Sequence, residues 1–278
     1  MTASDVLRYA AFTDDPKGGN PAGIVLDASG LDDGAMLDIA ARVGYSETAF
    51  LTPGAAPGEY RVRYFSPKIE VPFCGHATVA AAVALAERVG TGDLLFTTDA
   101  GSIPVRVYDS GGLTATLTSV EPHVSPIGDE DVAEALAALR WSVPELDPSL
   151  PPRVAYAGAR HLVLAAATRA CLADLAYDFD RLAAFMTALD LTTLQLVWRE
   201  SAGVFHVRDP FPVGGVVEDP ATGGAAAALG AYLRELGQAP PVITLRQGED
   251  MGRPGVLTVE LRDGDPRVRV SGRAVAMA

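Results

Sequence analysis

Three side chains in the 278-residue sequence are of types that move protons, Glu47, His76 and Asp219, and the last two stand beside Pro-x-x-Gly turns. Carboxylates and imidazoles are the common groups for taking a proton from carbon and returning it. Glu47 lies in the strand-like run Gly44-Tyr45-Ser46-Glu47-Thr48-Ala49-Phe50-Leu51, where period-two alternation puts it on one apolar face with Tyr45, Ala49 and Leu51. A carboxylate on such a face is disfavoured in its charged form and biased towards acid/base use. The same position also suits a rim carboxylate or a hydrogen-bonded cap of a neighbouring turn. His76 falls in the first turn of an Ala-rich helical stretch, where capping or plain core packing are the alternatives. Asp219 precedes the turn Pro220 to Gly223, where it also fits as a partner for the positive end of a helix dipole.

The elements that must position these residues are a doubled unit. In the first half, the strand-like run Tyr60–Phe65 leads through Pro67 to Glu70-Val71-Pro72-Phe73-Cys74-Gly75-His76 and an Ala-rich stretch ending at Gly90. In the second half, Val204–Arg208 leads through Pro210 to Glu218-Asp219-Pro220-Ala221-Thr222-Gly223-Gly224 and an Ala-rich stretch ending at Gly237. Glu70 and Glu218, Pro72 and Pro220, and Gly75 and Gly223 keep one constant offset. Upstream, Gly23–Leu26, a helix over 32–43 and a strand over 45–51 are matched by His161–Ala166, a helix over 180–189 and a strand over 194–198. Downstream, each Ala-rich helix is followed by paired strand signals, over 94–98 with 103–108 and over 242–246 with 256–261.

The stretch Ala77–Ala86 is apolar around its whole circumference, so protein must surround it. The stretch over 225–236 is nearly the same. Two α/β (α+β) domains, each a curved, mostly antiparallel sheet or barrel around a small-residue helix, satisfy this pattern. A generic α+β domain pair satisfies it equally well on periodicity alone. The expected boundaries are residues 1–119 and 120–278, with the last strand able to pack back on the first domain. Each central helix starts after a Pro-x-x-Gly turn. If the domains face each other about a pseudo-twofold, both N-termini meet in one cleft and can bind a small carboxylate, with Gly75, Gly223 and Gly224 allowing close backbone approach. Simple tight turns are the alternative role for these glycines.

Composition excludes several classes of partner. The chain carries 22 Lys+Arg against 35 Asp+Glu, a net charge of −13, with no basic cluster, which argues against nucleic acid and anionic membrane surfaces. Cys74 and Cys171 cannot form a disulfide framework, as expected of a reduced cytoplasmic protein. Met1–Asp5 has neither a basic nor an apolar leader pattern, and Ala77–Ala86 is about half the ~20 residues of a membrane span. The expected location is the cytoplasm.

Four segments together carry a family resemblance: Gly19-Asn20-Pro21-Ala22-Gly23, Ser46-Glu47-Thr48-Ala49-Phe50, the block Glu70 to Thr78 with its Cys-Gly-His-Ala-Thr, and the block Glu218 to Ala226 with its Asp-Pro-Ala-Thr-Gly. End to end, the chain resembles the PhzF-like family, named for an isomerase of phenazine biosynthesis. The resemblance implies the diaminopimelate epimerase-like fold of two pseudo-symmetric domains. It places the family's acid/base glutamate on Glu47, its active-site histidine on His76 and its aspartate on Asp219. It also implies a cofactor-independent isomerisation by proton transfer on a small, cyclic or unsaturated carboxylic acid, in a homodimer. One position departs from the pattern: where the family usually has Thr-Gly-Ser, this chain has Thr222-Gly223-Gly224 and lacks the hydroxyl.

Two further readings compete. Racemases of this fold use two cysteines, but the position matching Cys74 is Thr222, which leaves that machinery incomplete and makes Cys74 a small buried residue. A non-catalytic carboxylate-binding protein would keep the helix starts without turnover, and Gly224 favours it. No P-loop or dinucleotide fingerprint is present, so no cofactor is expected. His76, His123, His161 and His206 lack metal-ligand spacing, so no metal is expected either.

Overall fold

The structure is a computed structural model describing residues 6–278; Met1–Asp5, read above for a leader pattern, lie outside the described residues. The chain forms two compact units. The first takes the chain up to Val120 together with Arg269–Ala278, and the second is Glu121–Val268.

The first unit contains β1 (Leu7–Ala11), β2 (Asn20–Val25), α1 (Asp33–Val43), β3 (Glu47–Pro53), β4 (Glu59–Phe65), β5 (Glu70–Val71), α2 (Gly75–Val89), β6 (Gly92–Thr98), β7 (Gly101–Asp109) and β8 (Leu113–Thr118). The terminal strand Val268–Ala276 completes it by pairing antiparallel with both β8 and β1. The hydrogen-bonded order β1-β2-β3-β4-β6-β7-β8 and back through the terminal strand is a closed eight-stranded barrel. Two neighbouring pairs are parallel, β2 with β3 and β4 with β6. Parallel neighbours need a crossover, and α1 and α2 supply them.

The crossover α2 is the enclosed one. All residues from Gly75 to Ala86 are buried, because alanine and glycine leave the helix thin enough to fit inside the barrel. It packs against β1, β2, β3, β7 and β8, and Tyr64 of β4 gives its hydroxyl to Thr78 Oγ1 at 2.6 Å. The strand β3 is buried on both faces, not on one as its alternation suggests. Ala49 pairs with Tyr64 and faces α2, whereas Phe50 packs with Met36, Ile39 and Ala40 of α1 on the outside. The short segment before β2 depends on Gly19, whose φ is +53° and whose missing side chain leaves room for the Ala11 carbonyl.

The second unit contains β9 (His123–Pro126), α3 (Asp129–Leu139), β10 (Arg153–Tyr156), β11 (Arg160–Ala165), α4 (Arg169–Ala173), α5 (Phe179–Ala188), β12 (Thr193–Ser201), β13 (Val204–Pro210), β14 (Glu218–Asp219), α6 (Gly223–Glu235), β15 (Val242–Gln247) and β16 (Gly255–Leu261). Its strands bond in the order β9-β10-β11-β12-β13-β15-β16, with β11/β12 and β13/β15 parallel. The parallel pairs and their crossovers repeat the plan of the first unit: α4 and α5 span the first pair, and the buried α6 spans the second. Leu136, Leu139, Leu172, Leu182, Phe185 and Met186 of α3, α4 and α5 form an outer core layer against Leu162, Leu164, Leu194 and Leu196. Among the described residues, no helix is long and apolar enough to cross a membrane.

Candidate active site

In the first unit, β3 and α2 bring Glu47 and His76 together. Glu47 opens β3 opposite Ala22 of β2, on the inward face shared with Ala49. Cys74 is the residue that caps the start of α2, in extended backbone, and no side chain caps the helix there. The first intrahelical bond runs from Thr78 N–H to Cys74 O at 3.0 Å, so the N–H groups of Gly75, His76 and Ala77 have no carbonyl of their own helix. The Thr78 hydroxyl also donates to Cys74 O, at 2.7 Å.

Three chemically active groups meet at this point. Glu47 is 8% exposed, Cys74 7% and His76 4%. His76 Nε2 lies 3.6 Å from Glu47 Oε2 and 3.4 Å from Ser46 Oγ. The Cys74 thiol donates to Glu47 Oε2 at 3.6 Å and lies 3.3 Å from His76 Nδ1. The sequence reading gives Cys74 only a packing role; here it is buried and also in polar contact with both proposed proton-transfer residues. A thiol, an imidazole and a carboxylate whose ligand atoms all lie within 4.8 Å of one another are also a donor set that suits zinc. Histidine spacing could not show this set, because two of its three members are not histidine.

In the second unit, Asp219, Gly223 and Gly224 flank the start of α6. Asp219 pairs with Asp209 between β14 and β13. Its Oδ2 accepts the Thr222 hydroxyl at 2.6 Å. Thr222 occupies the capping position of α6, yet it makes no side-chain bond to the helix. Below it, Gln247 ties the turn together. Its Oε1 accepts from Thr222 N–H at 2.9 Å, and its Nε2 donates to Asp209 Oδ2 at 2.7 Å, to Asp219 O at 2.9 Å and to Thr222 Oγ1 at 3.0 Å. Asp209 is fully buried, and loss of hydration raises its carboxyl well above the usual carboxylate range. Gly75 and Gly223 are the first residues of their helices, and Gly224 follows.

The repeated Glu70 and Glu218 have a mechanical function. Arg63 of β4 grips Glu70 with Nε–Oε1 and Nη2–Oε2 contacts of 2.6 Å each. Arg208 of β13 holds Glu218 in the same bidentate way, at 2.9 and 2.5 Å. Each pair fastens the strand to the turn that delivers the chain to its central helix. Asp209, Gln247 and Ser46 are site-building residues that sequence reasoning missed. Only Ser46, beside Glu47 in a quoted motif, carried any signal. His123 stacks on Tyr156 at 4.6 Å and His206 bridges Glu200 and Glu249, both in the second unit and outside the network at the start of α6.

A family model described as phenazine biosynthesis-like protein (PhzC-PhzF) matches residues 9–278. An uncharacterized isomerase of Bacillus subtilis, YfhB, is 31% identical over 99% of this chain and 97% of its own length. A trans-2,3-dihydro-3-hydroxyanthranilate isomerase of Pseudomonas chlororaphis is 31% identical over 95% of this chain and 94% of its own. Among solved structures, a phenazine biosynthesis protein of the PhzF family from Bacillus anthracis superimposes with a TM-score of 0.86 at 26% identity, covering 98% of this chain and 96% of that one. A probable proline racemase from Agrobacterium radiobacter shares the fold, with a TM-score of 0.70 at 14% identity over 98% of this chain and 91% of that one.

Proposed function

From the premise that this chain belongs to the PhzC-PhzF family of phenazine biosynthesis-like proteins and is an isomerase, we propose that it moves a proton between two carbons of a small cyclic or unsaturated carboxylic acid, without cofactor, with Glu47 as the carrier. The observation that carries this reading is the contact set of Glu47: a buried carboxylate 3.6 Å from His76 Nε2, beside a helix start that no side chain caps.

Glu47 takes the proton from one carbon of the acid and gives it to another on the same face, so it ends the cycle as it began. The negative charge left on the substrate when the proton departs is stabilised by N–H groups held in place before the reaction starts. Gly75, His76 and Ala77 supply them at the start of α2. His76 holds Glu47 in one orientation, and Ser46 holds His76. Asp219 is the third residue of the proposed set. The Thr222 hydroxyl fixes its carboxylate at 2.6 Å. Gly75, Gly223 and Gly224 are the proposed binding glycines.

A racemase reading draws on one observation, the Cys74 thiol in contact with both Glu47 and His76. It lacks a second thiol, since Thr222 stands at the corresponding helix start and its hydroxyl is engaged by Asp219.

The test is Glu47→Gln, assayed with trans-2,3-dihydro-3-hydroxyanthranilate as the first substrate and related unsaturated cyclic acids after it. The variant should fold and bind acid but lose at least 10²-fold in turnover, in line with general acid/base catalysis. The wild type in D₂O should place solvent deuterium in its product. Turnover by Glu47→Gln within a few-fold of wild type would make the residue structural. Binding without turnover of any acid by the wild type would favour the non-catalytic binding protein.

A further inference from the structure

Several buried polar side-chain atoms of the second unit have no partner among the described residues, and one of them is an imidazole nitrogen beside a helix start. His161, on β11, is 1% exposed, and its Nε2 has no hydrogen-bond partner among the described residues. Its Nδ1 lies 2.8 Å from Thr193 Oγ1. That hydroxyl has no other partner among the described residues, so it is satisfied as a donor only by giving its proton to Nδ1. The ring proton then sits on Nε2. The other tautomer would leave both the Thr193 hydroxyl proton and the Nε2 lone pair unused, a costlier arrangement in a buried place. Burial also keeps the ring neutral, with its pKa pushed down to about 3, so Nε2–H is present throughout the physiological range.

This donor points at Gly224. A Cβ built there would lie 3.5 Å from His161 Nε2 and, outside its own helix and chain neighbours, would meet no other described atom within 4 Å. The space is at the start of α6, where the first intrahelical bond runs from Ala226 N–H to Thr222 O at 3.0 Å. The N–H groups of Gly223, Gly224 and Ala225 therefore lack a helical acceptor, and the Thr222 hydroxyl that would cap them is turned to Asp219. Donors converge here, with the positive end of the helix dipole behind them. What is missing is an acceptor, and the charge it suits is negative.

We propose that a carboxylate oxygen of the ligand seats in the space left by the absent side chain of Gly224 and accepts hydrogen bonds from His161 Nε2–H and the first N–H groups of α6. His161 is then a specificity-determining residue: it admits acids whose carboxylate reaches this depth. The inference rests on the reading that the substrate is a carboxylic acid. A serine at position 224 would fill the space with its own side chain and accept from Nε2–H through its hydroxyl oxygen.

Calorimetric titration of the full chain with benzoate, with neutral benzamide as control, tests this, together with NMR of ¹⁵N-histidine-labelled protein. Benzoate should bind at least tenfold more tightly than benzamide and shift the His161 Nε2–H resonance. Gly224→Ser should raise the Tm and weaken benzoate at least tenfold, and His161→Phe should weaken it by about as much, the loss of one charge-assisted hydrogen bond. Benzoate affinity in Gly224→Ser within twofold of wild type, or a silent His161 resonance on benzoate binding, overturns the subsite. If His161→Phe does not fold, the serine variant and the resonance decide. The two readings fail separately: full turnover in Glu47→Gln removes the proton carrier and leaves this subsite standing, whereas a wild type that turns over acid without any response at His161 removes the subsite alone.

Discussion

Thr222 gives its hydroxyl to Asp219 Oδ2 at 2.6 Å rather than to the helix it begins. A threonine at this position ordinarily caps the first free N–H groups of its helix. Turned to Asp219, with its oxygen accepting from Gln247 Nε2 at 3.0 Å, it leaves them for a ligand. The carboxylate thus helps keep an anion site open by holding Thr222.

Removing that carboxylate should close the site. In Asp219→Ala the Thr222 hydroxyl loses the acceptor that fixes its rotamer and can turn from Gln247 Nε2 to cap α6, so benzoate affinity should fall at least tenfold. A new cap is worth about 0.5–2 kcal/mol, which offsets part of the lost buried hydrogen bond, so the net stability change should stay within about 2 kcal/mol. Calorimetry and urea unfolding measure the two effects. Unchanged benzoate affinity would show that Thr222 does not control the site.

The Glu47, Cys74 and His76 donors lead to a prediction about metal and about the thiol. Activity should survive exhaustive dialysis against chelator, and elemental analysis of the active protein should find no stoichiometric transition metal. Cys74→Ala should keep most of the turnover, since the thiol donates to Glu47 Oε2 only at 3.6 Å. A loss as deep as that of Glu47→Gln would restore the racemase reading.

The paired Arg–Glu clamps should differ in strength because their burial differs. Side-chain exposures are 11% and 3% for Arg208 and Glu218, against 23% and 28% for Arg63 and Glu70. Glu218→Ala leaves a buried guanidinium without a counter-charge, held only by Nη1 donating to Ala173 O at 2.7 Å and Leu172 O at 3.4 Å, and should cost about 3 kcal/mol. Glu70→Ala leaves Arg63 in partial contact with water and still 2.7 Å from Asp33, so it should cost about 1 kcal/mol or less. Denaturant unfolding of the two variants gives the comparison, and equal losses would refute the burial argument.

Two buried groups give stability opposite slopes against pH. His161 is neutral in the fold but takes up a proton when unfolded below about its ordinary 6.5, so its contribution is complete above that pH and is lost as pH falls towards about 3. The full window is worth about 5 kcal/mol at roughly 1.4 kcal/mol per pH unit. Asp209 behaves in the reverse sense. Its raised carboxyl pKa keeps a proton that the unfolded chain sheds above 3.8, so its contribution is present below that pH and is lost as pH rises. In urea unfolding from about pH 4 to 6.5, His161→Gln should flatten the rise of stability with pH, and Asp209→Asn should steepen it. Parallel profiles for all three proteins would contradict both assignments.

The doubled architecture was legible because it is written in local patterns. The Ala-rich helices, their glycine ends, the alternating strands and the Glu-x-Pro-x-x-Gly turns each depend on near neighbours in sequence. The site was legible only where a motif marked it. Glu47 and His76 came from such blocks, but their contact with the Cys74 thiol depends on how β3 and α2 meet. Asp209 and Gln247 show the limit most clearly. Each is an ordinary polar residue near a strand end, and only the fold brings Gln247 Nε2 within 2.7 Å of Asp209 and its Oε1 within 2.9 Å of the Thr222 N–H. Residues 123–156, for which no repeat partner was legible in the sequence, form β9, α3 and β10, yet β10 pairs antiparallel with β11 as β1 does with β2, a correspondence visible only in the pairing.

The terminal strand has a consequence for biosynthesis. The first barrel closes through Tyr9 paired with Ala276 on one side and Thr118 with Arg269 on the other. While the chain emerges from the ribosome, β1 and β8 are open edges, and they stay open for the whole time the second unit is being made. Open edges are templates for wrong pairing. The second unit, whose residues run uninterrupted from Glu121 to Val268, can complete itself first, although domains usually fold in N-to-C order. Released chains ending at residue 267 and at residue 278 should differ sharply in protease resistance of the first barrel, and much less in that of the second unit.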